Sequence, residues 1–143
     1  MKQFDFLRTP KVHFGEGAID KLGPEARQFG RNVLLVHGKN SFALSGFRDL
    51  VVKSLLDNSL SFFEYEIPSE PSPQIINDAT DTFGESAVNC VIAVGGGSVL
   101  DSGKAISAML PLQGNVAEFL EVVGTKTSDG KKVPFIAVPT TSG

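Results

Sequence analysis

Residues 90–104 read Cys-Val-Ile-Ala-Val-Gly-Gly-Gly-Ser-Val-Leu-Asp-Ser-Gly-Lys, and they say most about how this chain folds. A short apolar run over residues 90–94 leads directly into three glycines, and a helical pattern follows with Ser98 in the position of a helix cap. Glycine lets the backbone turn sharply and approach a ligand closely. The free N–H groups and positive dipole end at a helix N-terminus favour an anion, above all a phosphate. The stretch therefore predicts a phosphate-binding loop at the carboxyl end of a sheet strand.

Strand-like and helix-like segments alternate along the rest of the chain. The pattern predicts strands at 11–14, 32–37, 61–67, 90–94 and 135–138, with helices at 18–29, 42–56, 74–86, 98–110 and 115–123. The continuous apolar run at 32–37 is typical of a strand buried on both faces, whereas the partial alternation at 61–67 suggests a strand nearer the edge. Such alternation predicts an α/β fold with a doubly wound, mostly parallel sheet and helices on both faces, Rossmann-like in outline. We expect one domain over residues 1–143.

Composition excludes several classes of partner. The 143 residues are 41% hydrophobic and 20% charged, with a net charge of −3 and no basic run longer than Lys131-Lys132, which argues against nucleic acid and membrane surfaces as partners. No apolar run approaches the roughly 20 residues of a membrane helix, and charge interrupts the N-terminus where a signal peptide would be apolar. The single cysteine, Cys90, has no internal disulfide partner and suggests a reducing compartment. We therefore expect a cytoplasmic protein.

The glycine loop departs from the common dinucleotide fingerprint. Leu100 stands where that fingerprint has glycine or alanine, and no acidic residue closes a second strand about twenty residues later. Three consecutive glycines still expose several amides, and the Ser98 hydroxyl can cap the helix or donate to a ligand. The alternative is a flexible turn without a ligand. Asp101 lies one turn into the same helix, where it either completes a capping box with Ser98 or contacts a ribose or substrate hydroxyl.

Two further loops are expected at the same edge of the sheet. Thr140, Thr141 and Ser142 follow the last strand as the glycines follow theirs, and their hydroxyls suit phosphate or amide groups. Gly38 and Lys39 end the strand at 32–37, where the adenosine ribose of a dinucleotide is expected. Because Gly38 has no carboxylate for a 2′-hydroxyl and Lys39 can meet a 2′-phosphate, the residues favour NADP over NAD. Ordinary polar turns are the alternative for both loops.

A metal site is not expected from this chain. His13 and His37 fall on different predicted strands, and neither has an acidic or cysteine neighbour at a spacing typical of metal ligands. No Ser-His-Asp order or Cys-His pair predicts a nucleophile.

Taken together, these elements resemble the N-terminal half of the iron-containing (group III) alcohol dehydrogenase family. The matching stretches are Val12-His-Phe-Gly-Glu-Gly17, Val33-Leu-Leu-Val-His-Gly-Lys39, Glu70-Pro-Ser72, Gly95-Gly-Gly-Ser-Val-Leu-Asp-Ser-Gly-Lys-Ala105 and Pro139-Thr-Thr-Ser-Gly143. They occur in the family's order over nearly the whole chain. The combination of Gly-Gly-Gly-Ser-x-x-Asp-x-x-Lys with a later Pro-Thr-Thr is specific to the family.

The resemblance implies a cofactor domain whose catalytic metal, iron or zinc, is held by a C-terminal helical domain that this chain lacks. It implies hydride transfer between an alcohol or aldehyde and NAD(P), with no catalytic residue in this chain. Gly38 stands where many members have an aspartate that selects NAD, so the resemblance also favours NADP. The implied cofactor-binding residues are Gly38, Lys39, Gly95, Gly96, Gly97, Ser98, Asp101, Thr140 and Thr141, with Asp101 near the nicotinamide end.

Other functions remain open from sequence alone. They are a sister enzyme such as glycerol dehydrogenase, maleylacetate reductase or a dehydroquinate synthase relative, a non-enzymatic nucleotide-binding module, and a structural subunit with a vestigial loop. Because Pro139-Thr-Thr-Ser-Gly143 follows directly on a core strand, we interpret the C-terminus as a cut in a longer protein, with a natural small protein as the alternative. A homo-oligomer is plausible, since a domain separated from its partner exposes apolar surface.

Overall fold

The structure is a computed structural model that describes residues 10–39, 42, 46–68, 70–112, 114–120 and 124–141. Four strands form one parallel sheet in the order β2-β1-β3-β4. Their bounds are β1 Asn32–Gly38, β2 Ser61–Ile67, β3 Cys90–Gly95 and β4 Phe135–Pro139. The helices are α1 Leu22–Arg27, α2 Phe47–Asp57, α3 Pro73–Phe83 and α4 Gly97–Met109, with 3-10 turns at Ala18–Lys21 and Val116–Phe119. The predicted α/β fold with a parallel sheet is confirmed.

Helices cover both faces of the sheet, as the alternation predicts. One buried cluster joins α1 and α2 to the sheet through residues such as Leu22, Leu55 and Ile92. The other joins α3 and α4 to the opposite face through residues such as Ile76 and Ile106. The central strands β1 and β3 are almost wholly buried, whereas β2 lies at an edge and alternates between exposed and half-buried residues.

The N-terminal segment differs from its prediction. Residues 11–14 form no strand, and Val12 and Phe14 are exposed, although the sequence analysis predicts a strand there. The helix predicted at 18–29 is divided into the 3-10 turn and α1. Proline has no N–H and fits only the first turn of an α-helix, so Pro24 requires that α1 begin close to Leu22.

The remaining boundaries shift by a few residues. Gly46 adopts a left-handed conformation with φ 67° at the N-cap of α2, and the predicted helical residues 43–45 lie outside the described ranges. Ser72 caps α3, since its side chain accepts a hydrogen bond from the backbone N–H of Ile75. The helix predicted at 115–123 is observed as the 3-10 turn, and residues 121–123 lie outside the described part. Within the described ranges, no helix has the length and apolar character needed to cross a membrane.

Candidate functional site

The sheet order places the glycine loop at the point where the chain reverses its winding direction. From β1 the chain crosses to β2 on one side, and from β3 it crosses to β4 on the other, although β1 and β3 are neighbours. Ligands of open α/β sheets bind in the crevice outside the carboxyl ends of the strands at such a point. Gly38 ends β1 and Gly95 ends β3, so the two predicted loops flank this crevice.

The three glycines do different things. A Cβ on Gly95 would lie 2.8 Å from side-chain carbons of Val99, so packing against α4 requires a glycine there. Gly96 is the N-cap of α4, with an extended backbone and no side-chain cap. A Cβ on Gly97 would meet nothing within 4 Å, and Gly97 is exposed. Gly97 therefore leaves open space beside the first turn of α4, and the N-terminus of this helix suits an anion such as the pyrophosphate of a dinucleotide.

Ser98 does not cap the helix, contrary to the sequence prediction. The helix begins one residue earlier, so Ser98 lies inside its first turn. Its hydroxyl donates to Oε2 of Glu70, 2.9 Å away, in the loop that follows β2. The capping box of Ser98 with Asp101 is consequently not formed. Asp101 is exposed and has no hydrogen bond or ion pair with any residue that the structure describes.

The threonine loop adjoins the glycine loop, as the sequence predicts. The backbone N–H of Thr140 donates to the carbonyl oxygen of Gly95 at 3.0 Å, continuing the pairing of β4 with β3. The side chain of Thr141 lies 3.5 Å from the position that a Cβ on Gly96 would occupy. Both threonines are exposed at this edge, and Ser142 lies outside the described residues.

Gly38 and Lys39 lie at the same edge, one strand away. Gly38 is in register with Ile67 of β2, and Lys39 follows it with an exposed side chain. Preceding them, His37 stacks on the Phe42 ring with 4.8 Å between ring centroids, and its Nδ1 lies 3.0 Å from the carbonyl oxygen of Gly38. These contacts order the end of β1, while Asn40 lies outside the described residues.

The sequence analysis quotes Glu70 only within a stretch that matches the family, and it does not name Gly103 among the candidate site residues. Glu70 reaches Ser98 from a loop 28 residues away in sequence, and no local pattern reveals such a contact. Gly103 sits in the apolar stripe of α4, where a Cβ would lie 2.6 Å from the Cβ of Ala93. A glycine among the apolar residues of this stripe is the sequence feature that indicates close packing of α4 against β3.

The described residues contain no group of three or more His, Cys, Asp or Glu side chains that could hold a metal ion. Cys90 is fully buried in β3, and this burial raises the pKa of its thiol to about 12. A thiol so strongly protonated at neutral pH is neither a nucleophile nor a metal ligand. What this edge of the sheet does offer is the open glycine loop at the start of α4, where a helix N-terminus favours an anion.

Comparisons with known proteins agree with this arrangement. The sequence profile of the family described as "Iron-containing alcohol dehydrogenase" matches residues 9–143. The chain is 33% identical over 123 residues to NADH-dependent butanol dehydrogenase A of Clostridium acetobutylicum, covering 85% of this chain and 31% of that protein. It is 34% identical over 144 residues to the mitochondrial hydroxyacid-oxoacid transhydrogenase of Xenopus tropicalis, covering 96% of this chain and 30% of that protein.

Solved structures show the same fold. The crystal structure of the archaeal halo-thermophilic Red Sea brine pool alcohol dehydrogenase ADH/D1 superposes with a TM-score of 0.90 at 27% identity. The match covers 100% of this chain and 38% of that one. This chain thus spans about a third of the length of the relatives it matches.

Proposed function

The chain belongs to the iron-containing alcohol dehydrogenase family, and we propose that it is the dinucleotide-binding part of an NAD(P)-linked alcohol dehydrogenase. The open glycine loop at the N-terminus of α4, placed at the switch point of the sheet, is the observation that supports this most strongly. The described residues contain no membrane-spanning helix and no basic surface run, so a small molecule is the proposed ligand.

Each site residue has a proposed task. The amides of Gly96, Gly97 and Ser98 bind the pyrophosphate, because the helix dipole and the missing side chains favour an anion there. Thr140 and Thr141 line the cleft beside this loop. When bound, the nicotinamide exchanges a hydride with the carbon of an alcohol or aldehyde. Asp101, exposed on α4 beyond the pyrophosphate, lies toward the nicotinamide end.

We propose NADP as the preferred nucleotide, with NAD as the alternative. Gly38 provides no carboxylate to accept a hydrogen bond from the 2′-hydroxyl, and the exposed Lys39 beside it can neutralise a 2′-phosphate. The relatives named NADH-dependent butanol dehydrogenases favour the alternative. Direct comparison of the two nucleotides decides between them.

Catalysis in this family implies a divalent metal, iron or zinc, to polarise the substrate oxygen. Because the described residues offer no ligand cluster, we propose that residues beyond this chain hold the metal. The 143-residue chain, assayed by itself, is then expected to bind the nucleotide without turning over an alcohol.

Calorimetric titration of the folded chain with NADPH and NADH tests the proposal. Binding of either nucleotide supports it, and tighter NADPH binding supports the assignment of Lys39. If a chain shown by circular dichroism to be folded binds neither nucleotide, the site as proposed is wrong. Metal-dependent oxidation of butanol by the isolated chain, with Fe²⁺ or Zn²⁺ added, would disprove the expected inactivity.

A second candidate is hydride transfer between a hydroxyacid and an oxoacid. The near-equal identity to the transhydrogenase and to the butanol dehydrogenase supports keeping it. Assay of the full-length enzyme with a hydroxyacid and an oxoacid, without added nucleotide, separates the two activities, since only a transhydrogenase returns the hydride to a second organic substrate.

A further inference from the structure

The N-terminal segment lies against α1 with its polar side inward. The Lys11 ammonium contacts the carboxylate of Glu25, and His13 Nε2 lies 3.1 Å from Glu25 Oε1. The alternate residues face solvent, since Val12 is 75% exposed and Phe14 is fully exposed. Apolar residues ordinarily face the core and polar residues the solvent, and neither buried cluster includes a residue of this segment. Contacts with one carboxylate, and not burial of apolar surface, therefore determine which side of the segment faces α1.

Glu25 is well placed to hold two donor side chains. It lies in the first turn of α1, and Gln28, one turn later, donates from Nε2 to Glu25 Oε2 at 3.1 Å. That hydrogen bond leaves Oε1 to Lys11 and His13. The hydrogen bond from Lys11 is the main cause that lowers the pKa of Glu25, so this carboxyl group is ionised at neutral pH. Because a carboxylate only accepts hydrogen bonds, Nε2 of His13 has to carry the proton in this contact.

Helix α1 gives Glu25 a fixed base. The backbone N–H of Gly23 donates to Ser54 Oγ at 3.0 Å and joins α1 to α2. A Cβ on Gly23 would lie 2.1 Å from the carbonyl oxygen of Ser54, so the backbones of the two helices are in close contact. Leu22 and Ala26 of α1 are buried in the cluster on this face of the sheet. Glu25 therefore belongs to a helix that is part of the core, whereas the segment it contacts is not.

We propose that Glu25 is an electrostatic clamp, which holds the N-terminal segment on α1 and lets it detach while the domain stays folded. Contacts between partly exposed charges are individually weak and are screened by salt, whereas salt does not screen apolar burial. A segment held by such contacts opens with much less free energy than the sheet does. Lys11 and His13 are then released together, because both depend on the same carboxylate oxygen.

Limited proteolysis of the folded protein with trypsin measures this detachment. The Lys11 side chain has to leave Glu25 before it can enter the specificity pocket of the protease, so cleavage after Lys11 reports the open segment. Cleavage after Lys104, in the middle of α4, requires the domain to unfold and serves as the internal reference. The test variant is Glu25→Gln, which keeps the shape of the side chain and removes its charge. The control is Glu16→Gln, because Glu16 is exposed nearby and forms no ion pair with any residue that the structure describes.

We expect Glu25→Gln to be cleaved after Lys11 about three- to tenfold faster than the unaltered protein, with an unchanged rate after Lys104. Glu16→Gln should match the unaltered protein at both sites. Sodium chloride at about 1 M should raise the rate after Lys11, relative to Lys104, in the unaltered protein and not in Glu25→Gln.

Three results overturn the clamp. The first is an unchanged rate after Lys11 in Glu25→Gln, and the second is an equal acceleration in Glu16→Gln. The third is a parallel rise after Lys11 and Lys104 in Glu25→Gln, because Glu25 would then stabilise the whole domain and not the segment. Absence of the salt effect in the unaltered protein also contradicts an electrostatic contact.

Discussion

The substitution Gly97→Ala separates a binding role of the glycine loop from a structural one. The added Cβ meets nothing within 4 Å, and the backbone of Gly97 is helical, so the folded protein accommodates alanine without strain. A compatible Gly→Ala change stabilises a protein by about 0.4–1 kcal/mol, chiefly because it restricts the unfolded chain. Urea denaturation should therefore show a free energy of unfolding equal to or slightly above that of the unaltered protein.

Ligand binding should respond in the opposite direction. The new methyl group enters the open space beside the first turn of α4, where the proposed function has the pyrophosphate bind. A hydrogen bond to a charged group contributes about 1.5–3 kcal/mol, so loss of one such bond weakens NADPH and NADH about ten- to a hundredfold. Calorimetric titration measures this change directly.

The reasoning fails if the Gly97→Ala protein is folded and binds both dinucleotides as tightly as the unaltered protein. The open space would then not be the pyrophosphate site. If Gly97→Ala instead lowers the free energy of unfolding by about 1 kcal/mol or more, the added Cβ meets a neighbour and the assumed openness is wrong.

Three further outcomes are expected. Gly103→Ala should lower the free energy of unfolding in urea by up to about 2 kcal/mol, because the new Cβ would lie 2.6 Å from the Cβ of Ala93. This overpacking outweighs the gain in helix propensity. Equal stability of the variant would mean that α4 has room to move. Lys39→Ala should weaken the binding of NADPH several-fold more than the binding of NADH in titrations. The control Lys132→Ala, in the segment before β4, should change the affinity for neither nucleotide. An equal loss of affinity for both nucleotides in Lys39→Ala would contradict a 2′-phosphate contact. Cys90, buried and with the pKa of its thiol raised to about 12, should not react with a thiol reagent at pH 8 until urea unfolds the chain; rapid reaction of the folded protein would contradict its burial.

Local sequence pattern predicted the strands well where the arrangement of apolar residues alone determines the structure. Strand β2 was predicted with its observed bounds, and the apolar run of β3 followed by glycines was sufficient to place the loop at the sheet edge. The segment at 11–14 also alternates between polar and apolar residues, but it pairs with none of the strands that the structure describes, and Val12 and Phe14 are exposed. Periodicity indicates which face of a strand is apolar and not whether a neighbour covers it.

The site was predicted less completely, because its details depend on contacts between distant segments. Ser98 resembled a cap in sequence, yet the helix begins at Gly97 and leaves its hydroxyl to Glu70. That pairing exists only because the sheet order brings the ends of β2 and β3 to either side of β1. Sequence pattern named the loops at this edge and missed the side chain that crosses between them.

The all-parallel sheet also determines how the chain has to fold. Register pairs Asn32 with Ser61 and Val33 with Cys90, so each pairing closes a loop of roughly 30 residues or more, and the sheet contains no hairpin to nucleate it. Non-local pairing of this kind slows folding, because each long loop has to close before its contacts can form. A ligand that binds the folded glycine loop and not the unfolded chain therefore stabilises all of these non-local pairings together.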